Sequence, residues 1–141
     1  MMKKLDQRGV APLEFCAVAV MFFTVVFTII DLARYAITVQ SLRALAEAGA
    51  RATMINDCYM NAALKTVSLP TCSGDPLPSA TDKQNAAPFL FAGGLTPTLS
   101  ISGSGPYTIT ASEPGFTMIM PIWGSALNSP SASTRLPFPG V

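Results

Sequence analysis

Residues 10–30 read Val10-Ala-Pro12-Leu-Glu14-Phe15-Cys16-Ala-Val-Ala-Val-Met-Phe-Phe-Thr-Val-Val-Phe-Thr-Ile-Ile30, an apolar run in which Glu14 is the one charge. About 21 such residues are enough for a helix through a hydrocarbon core of roughly 30 Å. An uncompensated carboxylate at mid-bilayer costs roughly 2.5–3.5 kcal/mol, and less near one end of the span, where Glu14 stands. An acid kept at such a cost points to a function. In front of the run Lys3, Lys4 and Arg8 outnumber Asp6, so the positive-inside rule predicts a cytoplasmic N-terminus and an exported chain from Asp31 onward. A secretory signal peptide would carry an apolar region of about 7–15 residues followed by a small-residue cleavage site. This run is longer and passes directly into Asp31, Arg34 and Tyr35 in continued helical pattern.

The helix is predicted to continue well beyond the apolar run. From Leu32 to Ile55 there is no proline, and Gly49 is the only glycine. Tyr35, Val39, Leu42, Ala46, Gly49 and Thr53 recur at alternating steps of four and three, which puts them on one narrow helical stripe. Arg43 with Glu47, and Glu47 with Arg51, are i,i+4 pairs on another face, each adding a few tenths of a kcal/mol. Pro12 fits a helix starting near Val10, because the first turn has no partner for its N–H groups in any case. Residues 10 to about 56 thus read as one helix about 70 Å long.

A short basic leader ending in Gly9, with Glu14-Phe15 five residues on and then an apolar helix, resembles the class III signal of type IV prepilins. The resemblance implies a cut between Gly9 and Val10 by a prepilin peptidase. The cut leaves a new amine on Val10, and Glu14 can pair with such an amine on a neighbouring subunit, offsetting the burial of both charges. The order Gly9, Glu14-Phe15, apolar span, Asp31-Leu-Ala-Arg34-Tyr35, then Leu42-Arg-Ala-Leu-Ala-Glu-Ala-Gly49-Ala50-Arg51-Ala52 resembles the TadE-like pseudopilins of the tight adherence (Tad or Flp) pilus system. The likeness covers about residues 9–53, with a weaker echo in Ser131–Leu136. Major Flp pilins usually carry Glu-Tyr and stop soon after the helix, whereas Glu14-Phe15 and about 85 further residues point to the minor type.

This resemblance implies a minor pilin that initiates or primes a surface fibre for adhesion. Its partners would be the prepilin peptidase, other major and minor pilins, the inner-membrane pilus assembly platform and the lipid bilayer. It implies a single-pass protein of the bacterial inner membrane, N-terminus cytoplasmic and C-terminus exported, which can be incorporated in an extracellular pilus. Two readings stand beside it. One is an uncleaved single-pass accessory protein of pilus assembly, in which Glu14 merely sits near the headgroups. The other is a type II secretion pseudopilin, whose first mature residue is usually Phe where this chain has Val10.

Composition narrows the function classes. One membrane helix largely explains a hydrophobic content of 50% and a mean hydropathy of +0.42. The net charge is +1, with no basic cluster outside the leader, which argues against nucleic acid as a partner. There is no histidine, so Ser-His-Asp and Cys-His catalysis is excluded within this chain. The exported acids Asp31, Glu47, Asp57, Asp75, Asp82 and Glu113 form no D-x-D or E-x-x-E pair, and no Gly-rich loop with a lysine follows a strand. A non-enzyme without catalytic residues, cofactor or metal is expected. Cys16 lies in the apolar run as a small apolar residue. Cys58 and Cys72 fall on the exported side, where a disulfide is expected in preference to free thiols, and two cysteines without histidine make a poor zinc site.

The remaining chain, residues 57–141, reads as a small exported domain. Pro70, Pro76, Pro78 and Pro88 mark Leu69 to Pro88 as loop, and Ala62 to Val67 can add a helical turn or a strand before it. Thr98–Ser102 and Tyr107–Ser112 alternate around Gly103-Ser-Gly-Pro106 and predict a β-hairpin. Phe116–Trp123 is a third strand candidate, limited by Pro121 to an edge, and Ser131–Leu136 a fourth. Phe89, Leu90, Phe91, Tyr107, Ile109 and Trp123 are the expected core; a cofactor-binding aromatic box is the alternative for them. A sheet this small needs a cover. The expected fold is α+β: a leader (residues 1–9), a transmembrane helix (10–30), its exported continuation (31–56), and an antiparallel sheet of three or four strands packed on that continuation, as in pilins.

Overall fold

After Pro12 the next proline is Pro70, and the backbone from Val10 to Met54 runs unbroken as one helix of 45 residues, α1, about 68 Å long. It belongs to a computed structural model that describes residues 10–64, 72–103 and 106–137. The two hydroxyls of its apolar run donate back to helix carbonyls, Thr24 to Val20 and Thr28 to Thr24 at 2.7 Å, so they leave no donor facing an apolar surrounding. Short helices α2 (Asp57–Ala63), α3 (Ala80–Ala86) and α4 (Pro88–Ala92) follow, then strands β1 (Thr98–Ser102), β2 (Tyr107–Ser112) and β3 (Ser131–Leu136).

The three strands form one antiparallel sheet in the order β1-β2-β3. Both hairpin strands have the bounds predicted from alternation. Leu99 faces Ala111 and Ile101 faces Ile109 across the first pair; Tyr107 faces Leu136 and Ala111 faces Ala132 across the second. All of these lie on one face of the pleat, because side chains alternate with a period of two. The opposite face carries Ser100, Thr108, Thr110, Ser133 and Arg135. Gly103 turns the hairpin at φ +96°, and a Cβ there would stand 2.7 Å from the Pro106 carbonyl oxygen, so the turn admits only glycine. Gly74 extends the sheet by a single bridge, its carbonyl accepting from the Ile101 N–H at 3.1 Å.

The apolar sheet face packs on the outer half of α1. Leu42, Leu45, Ala46 and Ala50 are buried against Leu90, Leu99, Tyr107, Ile109, Ala111 and Leu136. Each large side chain so buried contributes roughly 1.5–3 kcal/mol. Gly49 lets helix and sheet approach: a Cβ there would meet Leu99 Cδ2 at 2.8 Å and Ile109 Cγ2 at 3.2 Å. The expected stripe is the contact face, widened by Thr38, Ser41 and Leu45, which are also buried. The α+β class with a long helix on a small antiparallel sheet is therefore the observed architecture.

Several local expectations need correction. Phe116–Trp123 is not a strand but an irregular segment that bends at residues 119 and 120 and closes in a 3-10 turn at Pro121–Trp123, so the described sheet has three strands, the last being Ser131–Leu136. Leu69–Pro88 is not loop throughout: Ser79 caps α3 by accepting the Asp82 N–H. Residues 65–71, within that loop and the Ala62–Val67 candidate, lie outside the described part. Phe89 is no core residue, at 70% exposed, because α4 turns Leu90 inward instead. Among the described residues Glu47 pairs with Arg51 (3.8 Å) and not with Arg43.

Candidate functional site

Among the described residues, the inner half of α1 is left largely uncovered. Residues 11–30 are exposed or half-exposed throughout, including Leu13, Val18, Phe22 and Phe27. This helix is long and apolar enough to cross a membrane. Glu14 and Phe15 lie in its second turn, both exposed, and Glu14 makes no ion pair with any described residue. Val10 is the first helical residue, and Gly9 lies outside the described part. Cys16, free and exposed, stands on the same bare segment.

The burial pattern changes at one residue. Asp31 follows directly on Ile30 and is 2% exposed. Its carboxylate accepts the Ile119 N–H at 3.0 Å (Oδ2) and 3.2 Å (Oδ1), the Met120 N–H at 3.0 Å, and Arg34 Nη1 at 3.2 Å. These contacts hold its pKa below the usual carboxylate range: the Met120 N–H contributes most, burial opposes it, and the Ile119 N–H and the Arg34 guanidinium add to the lowering. Arg34 also lies over the Phe116 ring, 5.5 Å from its centroid, and Tyr35 stands against the same ring at 6.2 Å. Asp31, Arg34 and Tyr35 together clasp residues 116–120 to the helix where its bare half ends.

The segment so held is irregular because its polar backbone is satisfied outside the sheet. Met118 N–H donates to Asn128 Oδ1 at 3.0 Å, and the Ser129 N–H to the Phe116 carbonyl. At its base Glu113 is fully buried; its Oε1 accepts the Gly115 N–H at 3.0 Å. Glu113 Oε2 and the indole Nε1 of Trp123 are buried without a hydrogen-bond partner among the described residues. No three His, Cys, Asp or Glu side chains gather in a metal-binding group among those residues.

At the far side of the head, Cys58 on α2 and Cys72 are joined by a disulfide with Cα atoms 5.4 Å apart. Cys72 is buried, and its N–H donates to the Tyr107 hydroxyl at 3.2 Å, which ties the bridge to the sheet core. The singled-out residues therefore fall in separate places. Glu14 is 17 positions from Asp31, about 25 Å along the helix, and the disulfide lies on the head. The clasp was not among the expected sites, although Asp31 and Arg34 at i,i+3 at the end of an apolar run were its visible sign. Compared with family models, with curated proteins and with solved structures, the chain matches none, so what it does rests on these residues alone.

Proposed function

We propose that the chain is a TadE-like minor pilin, or pseudopilin, of a Tad-type pilus, cleaved by a prepilin peptidase and assembled with other pilins to initiate or prime an adhesive fibre. The observation that carries this reading is the bare inner half of α1 with its single carboxylate, set on the same unbroken helix as a packed α+β head. A stalk of that kind needs lipid at one stage and neighbouring helices at another. In lipid, Glu14 sits close to the headgroups, where its cost is small. In a bundle it faces the Val10 amine that cleavage creates on a neighbour, and the two charges compensate each other.

Two substitutions test the two steps separately. Gly9→Leu obstructs the peptidase and leaves a species heavier by the nine-residue leader, read by N-terminal sequencing or mass. Glu14→Ala is cleaved and inserted normally, since removing a charge eases insertion. It fails to co-purify with partner pilins, because their buried amine loses its counter-charge at about 3–5 kcal/mol. Wild-type protein that stays uncleaved in cells with an active prepilin peptidase instead indicates the accessory-protein reading. Normal piliation in the Glu14→Ala strain, with a deletion strain confirmed bald, removes the pairing role.

A further inference from the structure

Between Glu113 and Arg135 the chain has no charged residue, and within that stretch lies the segment that Asp31 clasps to α1. Phe116 turns inward, but the apolar side chains after it do not: Ile119 is 72% and Ile122 59% exposed, and Met118, Met120 and Trp123 are half-exposed. A soluble loop of this composition would be expected to bury such residues or replace them with polar ones. The clasp also fixes their height. Asp31 holds the N–H groups of residues 119 and 120 beside the end of the apolar run, and Met120 lines one groove with Phe23, Thr24 and Phe27. Phe27 is four residues below Asp31, about 6 Å toward the bare half of the helix.

From this placement we infer that residues 118–123 are an interfacial wedge, lying in the headgroup region of the leaflet from which α1 emerges. The inference rests on the membrane placement of α1 in the proposed function. The occupant is lipid because Met120 continues, without an intervening charge, the same groove as Phe23 and Phe27, themselves about half-exposed and next to acyl chains in that placement. Trp123, half-exposed with its indole N–H turned inward, belongs to the same segment, and aromatic residues are enriched at the membrane interface. Phe27, which shares the groove with Met120, lies about 6 Å below Asp31, within the range of roughly 5–10 Å to which amphipathic elements sink at the acyl boundary. The wedge gives the head a second membrane attachment beside the helix, so its tilt is set by two points.

Trp123 is the only tryptophan and Cys16 the only free cysteine, so one full-length chain carries a reporter for each claim. The experiment reconstitutes it, at high lipid-to-protein ratio, in phosphatidylethanolamine–phosphatidylglycerol vesicles containing brominated phosphatidylcholine. Bromines near the headgroup end of the acyl chain are expected to quench Trp123 emission by roughly half, more than bromines deep in the chain, and aqueous iodide to quench it weakly. Exchange of two exposed side chains, Ile119→Asn with Ile122→Asn, should reduce the lipid quenching and raise the iodide quenching while the Cys58–Cys72 bridge remains. Cys16 unreactive to an impermeant maleimide, with Trp123 open to iodide and untouched by bromolipid, overturns the wedge but leaves the membrane helix standing. Labelling of Cys16 removes the membrane placement itself. Trp123 emission that shifts with protein dilution while bromolipid leaves it unquenched at every dilution overturns the wedge in favour of a contact between copies.

Discussion

Asp31 replaces a strand ladder with one carboxylate: two backbone N–H groups that would otherwise seek sheet partners are held by its oxygens. Asp31→Ala removes both acceptors and the Arg34 pairing, so the full chain in detergent should melt several degrees lower and its 116–123 segment should exchange amide hydrogens faster. The pH dependence has a defined sign. A carboxyl whose pKa is lowered by folding contributes stability that is fully present above its unfolded value, near 3.9, and is lost as pH falls through the folded value. Wild-type Tm should therefore fall below about pH 4, and Asp31→Asn should flatten that part of the profile; identical profiles would remove the linkage. The acid was visible in the sequence together with Arg34 and Tyr35. Its role was not, because its partners stand 88 and 89 positions away and are main-chain donors with no side-chain signature.

Elements were legible where their periodicity agreed with what they bury. The β1 and β2 bounds follow from alternation, and α1 from the four-three stripe on its outer half. Phe116–Trp123 alternates equally well, yet its apolar residues serve no sheet face, so period two misleads there. The short helix α3 was hidden by the prolines on either side of it, Pro78 and Pro88, although Ser79 three residues before Asp82 is a capping signal. The stripe residue Gly49 gives a test of how closely helix and sheet are fitted. In Gly49→Ala the added methyl meets the flexible end of Leu99, which can shift, and a helix propensity gain of about 1 kcal/mol offsets the crowding. Stability should stay within about 1 kcal/mol of wild type. Gly49→Val adds two more methyls to a Cβ that already stands 3.2 Å from Ile109 and Pro76, and should cost about 3 kcal/mol in a denaturant midpoint measurement. A valine variant as stable as the alanine one would show that the interface has slack.

At the scale of the molecule, the α+β class was legible because the bare and striped halves of α1 already differ in sequence, one apolar all round and the other on one side. The head's closure is less local. The Cys58–Cys72 bridge spans 14 positions and ties α2 to the strand-facing segment, and a loop of that size restricts the unfolded chain by about 3 kcal/mol. Reduction, or Cys58→Ser with Cys72→Ser, should lower head stability by about that amount. Without reductant both thiols should resist alkylation; full labelling of the two would show the bridge is absent in solution.

The unpartnered half of α1 has one more consequence, for the route by which the protein changes company. About ten large apolar side chains, at roughly 2 kcal/mol each, put a solvent-borne monomer about fourteen decades below a sheltered one. A subunit of this kind keeps no free pool in water. In the proposed pilin, each exchange of neighbours is then a direct handover, with the helix touching its next shelter before it leaves the last, at a rate governed by encounters within the bilayer plane and not by diffusion through water.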